Sequence, residues 1–238
     1  MPLPLTRLLE FEGYRRSVRI DSDGGARSFA ELEDDIHAFA VTLEHDGSAI
    51  RTVEVEIRRA PWTTCPGAEQ ALKLELEGML LVDVRYLKDR QQQCTHLFDL
   101  ASWAAAHAMA REYIEYDVLV SDPLDNVRHA EIWRNGKLVI EWDEAKFILQ
   151  APPEIAGRNI FELNDWMKGL SPELQEAARI LRWGNVVANG RMKSLAEQSD
   201  ATKMPPNCYT FQPSRAEFAR RVGKIRDFSF GTELPFEL

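Results

Sequence analysis

Apolar and polar residues alternate along HAFAVTLEHDGSAIRTVEVEIRR, residues 37–59. His37, Phe39, Val41 and Leu43 share one parity, and smaller or polar residues fill the other. That is the two-residue period of a half-buried strand. Asp46-Gly47 supplies a turn, and Val53, Val55 and Ile57 give a returning strand its apolar face, so the stretch predicts a hairpin. YRRSVRID, residues 14–21, predicts a short strand ended by Asp23-Gly24-Gly25. Ile114 to Val120 predicts another strand, and HAEIWRNGKLVIEWD predicts a second hairpin turning at Asn135-Gly136.

Elsewhere the period lengthens. Ala68, Ala71, Leu72 and Leu76 follow Pro66 at helical spacing as far as Gly78, with Pro66 read as the first helical residue and Cys65 as its cap. A second helix is expected from about Thr95 through LFDLASWAAAHAMAREY. A third is expected in SPELQEAARILRW, opened by Ser171 and Pro172. A fourth, in PSRAEFARRVGKI, would bury Phe218, Val222 and Ile225. The stretch 184–213 reads mostly as loop, long enough for a lid or binding role.

Together these elements predict an α+β fold, an antiparallel sheet of hairpins packed by helices. Without an internal repeat or a low-complexity linker, residues 1–238 read as one domain. Its core spans about 14–112, and residues 113–238 form a hairpin and helical elaboration.

Composition narrows the function classes. The net charge of −9 and the absence of a basic stripe argue against a nucleic-acid partner. No apolar run is long enough to cross a bilayer. MPLPLTRLLEFEG is too short and too acidic for a signal peptide. Three irregularly spaced cysteines make no disulfide framework, so a cytoplasmic protein with reduced thiols is expected. A homo-oligomer is left open.

The candidate chemistry gathers at two helix starts. As a cap, Cys65 would meet free backbone N–H groups and the positive helix end, which favour a thiolate; otherwise it is a small buried hydrophobe. Cys94 and His96 flank Thr95 at the second helix start. His96, Asp99, Trp103 and His107 then fall on one stripe of that helix, suited to a pocket wall. His37 begins an inward-facing strand parity. Trp62, Tyr209 and Phe211 could line an apolar site with Trp103. His45 and His129 read as exposed, and Trp133 and Trp142 as packing for the second hairpin. Cys65, Cys94 and His96 could alternatively hold a zinc ion, with Cys208 as an added ligand or a buried loop residue.

HAFAVTLEHDG, APWTTCPGAEQAL, the LEG of residues 76–78, CTHLFDL and CYTFQP resemble a bacterial family catalogued as a domain of unknown function, marked by CPGA and CTHL elements. The resemblance covers about residues 14–112 and implies no particular reaction. A more distant likeness is to the NifU-type iron–sulfur scaffold, in which a sheet leads to a cysteine-headed helix and a second cysteine opens an alanine-rich helix. Cys65 and Cys94 fit those two places. That family's later histidine–cysteine pair has no counterpart near residue 110, so His96 would have to substitute, and the likeness is one of topology.

Three functions are compatible with these residues. The first is a small-molecule enzyme, a lyase or proton-transfer catalyst acting on an aromatic or acyl catabolic intermediate. Cys65, His96, His37 and Asp99 would form its machinery, and Trp62, Trp103, Tyr209 and Phe211 its walls. The second is a metal or iron–sulfur cluster carrier on Cys65, Cys94 and His96. The third is a non-catalytic binder of a hydrophobic ligand.

Overall fold

A computed structural model describes residues 12–194 and 196–237; the N-terminal stretch weighed as a signal peptide lies almost wholly outside them. Eight strands form an antiparallel sheet: β1 Gly13–Asp23, β2 Arg27–Asp34, β3 Ala38–His45, β4 Ile50–Arg59, β5 Arg111–Ser121, β6 Arg128–Arg134, β7 Lys137–Ala145 and β8 Ile148–Ala151. Their order is β4-β3-β2-β1-β5-β6-β7-β8. The helices are α1 Ala68–Leu76, α2 Thr95–His107, α3 Asn164–Lys168, α4 Pro172–Ala188 and α5 Pro213–Ala216. The α+β class and the hairpin sheet expected above are therefore present. Among the described residues no helix is long and apolar enough to cross a membrane.

The chain divides into two compact units. The first holds Val18–Ile114 and Ser194–Arg226; the second holds Met1–Ser17, Glu115–Lys193 and Asp227–Leu238. Residues 194–226, read as part of the elaboration, thus belong with the first hairpins.

In the first unit, β3 and β4 form the expected hairpin, with Phe39 opposite Ile57, Val41 opposite Val55 and Leu43 opposite Val53. Gly47 turns it at φ +88°, a conformation that costs a residue without Cβ little. Strand β2 went unread because its buried parity is Ser28, Ala30 and Leu32, too small and polar to stand out as an apolar face. Helix α2 lays Leu97, Leu100, Ala101 and Ala104 onto β2 and β3. Burying a leucine completely stabilises by about 1.5–3 kcal/mol, so this face anchors the helix start that carries the chemistry. The helix ends at His107, short of the expected Tyr113, and the freed Ala108 carbonyl accepts from Ser22 Oγ at 3.1 Å.

The last expected helix is corrected. After the four residues of α5 and a further turn to Ala219 the chain extends, because Arg220 and Val222 exchange backbone hydrogen bonds with Thr63 and Pro61. Those bonds replace helical ones, and Phe218 and Ile225 are exposed.

In the second unit, Asn135 (φ 48°) and Gly136 (φ 74°) make the two-residue turn between β6 and β7 that their sequence demands. Ser171 Oγ accepts from Leu174 N at 3.3 Å and caps α4, which packs on β6 and β7. Beneath it Arg128 donates to Glu144, Asn185 donates to the same carboxylate at 2.9 Å, and Trp142 Nε1 donates to Asn185 Oδ1 at 3.0 Å. Trp142 and Trp133 are both buried, as the hairpin reading expected.

Candidate functional site

Between β2 and β3 the chain turns through Asp34, Asp35, Ile36 and His37. Asp34 Oδ1 accepts from the backbone N–H of Ile36 at 3.0 Å and of His37 at 2.8 Å, while Asp34 N donates to the His37 carbonyl at 2.9 Å. An aspartate bonding to the backbone two and three residues on is a local device that closes such turns. Here it also aims the carboxylate at its neighbour. His37 Nδ1 lies 3.0 Å from Asp34 Oδ1 and 3.1 Å from Oδ2. Asp34 is wholly buried and His37 nearly so. The Arg59 guanidinium braces the turn from β4, donating to the Asp34 and His37 carbonyls and, at 2.9 Å, to the Glu33 carboxylate. Arg226 N donates to the Asp35 carbonyl at 2.9 Å.

His96 arrives from the first turn of α2. Its ring stacks on that of His37, with centroids 4.0 Å apart and planes inclined by 30°, and Phe39 packs beside both. Ligand-type atoms of Asp34, His37 and His96 lie within 4.8 Å of one another. Only His96 of the three is half-exposed. A carboxylate, the imidazole it orients and a second imidazole open to solvent make a proton-handling constellation.

Cys65 departs from the expected geometry. It is the first residue of a 3-10 turn, Cys65–Gly67, and the preceding Thr64 stands at the cap, its side chain making no capping hydrogen bond. Backbone N–H groups and Arg221 do draw its thiol toward ionisation, but burial outweighs them and pushes its pKa up. The expected cap position is thereby corrected, and the thiol sits in an apolar cluster with Trp62, Ala201, Ala216 and Ala219, surroundings that do not favour a thiolate. Its Sγ lies 3.5 Å from Thr210 Oγ1, which in turn accepts from Thr64 Oγ1 at 3.1 Å.

Cys94, not Thr95, occupies the cap of α2. Burial, followed by the nearby Cys65, raises its thiol pKa far above the ordinary range. Cys208 is raised by burial and, more weakly, by Cys65. The three thiols are thus close enough that ionising one opposes ionising the others. Cys65, Cys94 and His96, however, do not form a compact ligand group among the described residues; the groups that do are Asp34 with His37 and His96, and His129 with Glu131 and Glu141. The three residues expected from sequence as a zinc set are thus not gathered into one group among the described residues, and the His96 ring packs instead on His37 and Phe39.

The aromatic walls are placed as follows. Trp62 is a core residue, edge-on to Phe211 at 5.7 Å and covered by Arg221 at 5.3 Å. Tyr209 stacks under the Arg215 guanidinium at 3.8 Å. Its hydroxyl sits where a Cβ on Gly67 would be, 2.6 Å away, which accounts for the glycine of CPGA. Asp99 and Trp103 are half-buried on the same side of α2 as His96, and His107 bonds Glu112 Oε1 at 2.7 Å. His45, read as exposed, is buried and accepts from Gly47 N at 3.2 Å.

Sequence reading missed Asp34, Arg59 and Thr210. For Asp34 a signal existed: an aspartate three residues before an inward-facing histidine, at the head of a strand. Arg59 reaches the turn through strand pairing and Thr210 reaches Cys65 through chain return, which no local pattern records. Compared with family models and with curated proteins, the chain finds no match.

Proposed function

We propose that the first unit carries a small-molecule enzyme of the proton-transfer class. His96 exchanges the proton with substrate, and Asp34 with His37 positions it and balances its charge. The observation that carries this reading is the contact of His37 Nδ1 with both oxygens of the buried Asp34, with the His96 ring stacked on that same His37 ring. Asp34 favours the Nδ1–H form of His37.

The chemistry such a pair serves best is removal of a proton from carbon beside a carbonyl, or its return during a lyase reaction, on an acyl or aromatic carbonyl compound. His96 takes the C–H proton, the electron pair delocalises into the carbonyl, and the same proton is returned to carbon or to a leaving group. This reading requires no resident metal. The CPGA and CTHL elements become scaffold for the proton-transfer site, and the NifU likeness is one of arrangement. We assign the protein to the cytoplasm with its thiols reduced.

The test is deuterium wash-in from D₂O across a panel of acyl thioesters and aryl ketones, read by mass spectrometry. Exchange on at least one panel member is expected, lowered about 10²–10⁴-fold in His96→Gln at unchanged thermal midpoint. No exchange on any member, or full exchange in both His96→Gln and His37→Gln, would count against the reading.

A further inference from the structure

We propose that the second unit holds a divalent-cation site of zinc type on the face of the β6–β7 hairpin opposite α4, formed by His129, Glu131 and Glu141 and supported by Asp143. Pairing of the two strands sets His129 opposite Asp143 and Glu131 opposite Glu141. With a two-residue side-chain period, all four project from one face, the reverse of the face on which Arg128, Glu144, Asn185 and Trp142 bond beneath α4.

The distances separate two kinds of contact. His129 Nδ1 lies 2.9 Å from Asp143 Oδ1, a hydrogen bond. His129 Nε2 lies 3.5 Å from Glu131 Oε2 and 3.7 Å from Glu141 Oε2, long for hydrogen bonds. Metal bonds of about 2.0–2.2 Å at a tetrahedral angle hold ligand atoms about 3.4 Å apart, so these two separations match the edges of an ion's coordination shell. The ligand-type atoms of all three residues lie within 4.8 Å of one another.

The chemistry of the set agrees. A carboxylate on the far ring nitrogen fixes the tautomer that presents Nε2 to a metal and raises its basicity, the role Asp143 fills. Glu131 is wholly buried and Glu141 about half-exposed, so one ligand is fixed and one stands at the mouth where an ion enters. His129 N donates to Ser121 Oγ at 2.9 Å, which pins the backbone of the central ligand. One imidazole with carboxylates suits zinc or a neighbouring first-row ion better than calcium, which prefers oxygen alone.

The experiment uses the whole chain, purified without an affinity tag, stripped with chelator and titrated with Zn²⁺ by calorimetry. One equivalent is expected to bind, with affinity at least about tenfold weaker in His129→Ala and in Glu141→Gln and about 10–100-fold weaker in Asp143→Asn. Glu141 and Asp143 are partly exposed, so those variants keep the test alive should His129→Ala fail to fold. Binding is expected to persist in His96→Ala, which separates this site from the one in the first unit. The absence of Zn²⁺ binding overturns the proposal. So does binding that survives Glu141→Gln and Asp143→Asn, or binding that is lost in His96→Ala.

Discussion

The His37 ring lies against the His96 ring at 4.0 Å, and the Asp34 carboxylate holds the first of them by its Nδ1. A turn aspartate, the histidine that ends the same turn and a histidine from the start of a distant helix are thereby fixed relative to one another. Their supports are backbone bonds to Asp34, the Arg59 brace, and the apolar seat of α2 on β2 and β3. The turn that closes the hairpin is the same structure that orients the imidazole.

Thiol chemistry gives a first prediction. Burial raises the pKa of Cys65, Cys94 and Cys208, and each pKa unit above the ordinary thiol value lowers the thiolate fraction about tenfold. Alkylation by iodoacetamide at pH 8 is expected to be at least about tenfold slower in the native protein than in denaturant. Rapid native labelling of Cys65, followed by peptide mass spectrometry, would restore it as a nucleophile.

Gly67 gives a second. Its φ of −65° suits any residue, so the requirement is one of space, since Tyr209 occupies the place of a Cβ. Gly67→Ala is expected to destabilise by about 1–3 kcal/mol through overpacking. In Gly67→Ala combined with Tyr209→Phe, which removes the obstructing hydroxyl, most of that loss should return. Chemical denaturation of wild type, Gly67→Ala, Tyr209→Phe and the double variant checks both points.

Asp46 gives a pH dependence. Its carboxylate accepts from Ala49 N and Ser48 N and pairs with Arg51, which together hold its pKa at about 2 against 3.8 in an unfolded chain. The folded state therefore binds this proton less readily than the unfolded state. The contribution is complete above 3.8 and disappears as pH falls through about 2. Asp46→Asn should flatten the loss of stability across that window, measured by urea unfolding from pH 5 downward. An unchanged slope would mean that the β3–β4 turn does not depend on the charge.

The hairpins were legible because their turns carry residues selected for rare backbone angles: Asp46-Gly47 and Asn135-Gly136 announce themselves locally. The start of α2 was legible to within one residue, and with it Cys94 and His96. Strand β2 was not, since Ser28, Ala30 and Leu32 show little apolar contrast. Residues 217–225 carried a helical pattern that long-range backbone bonding to Pro61 and Thr63 overrode. The turn at Cys65 is legible from Pro66, whereas the burial that raises its thiol pKa is not, because local spacing reports helix ends and says nothing of burial. Asp34 was passed over for a similar reason. Its role depends on a turn whose first strand had not been recognised.

The arrangement of Asp34, His37 and His96 is tested most directly by ¹⁵N NMR of the imidazole nitrogens in wild type and in Asp34→Asn. In the wild type the neutral His37 ring should carry its proton on Nδ1. In Asp34→Asn the amide oxygen keeps the backbone bonds of Ile36 and His37, its NH₂ faces Nδ1, and the proton should move to Nε2. A wild-type His37 already protonated on Nε2, or a tautomer indifferent to Asp34→Asn, would contradict the proposed site.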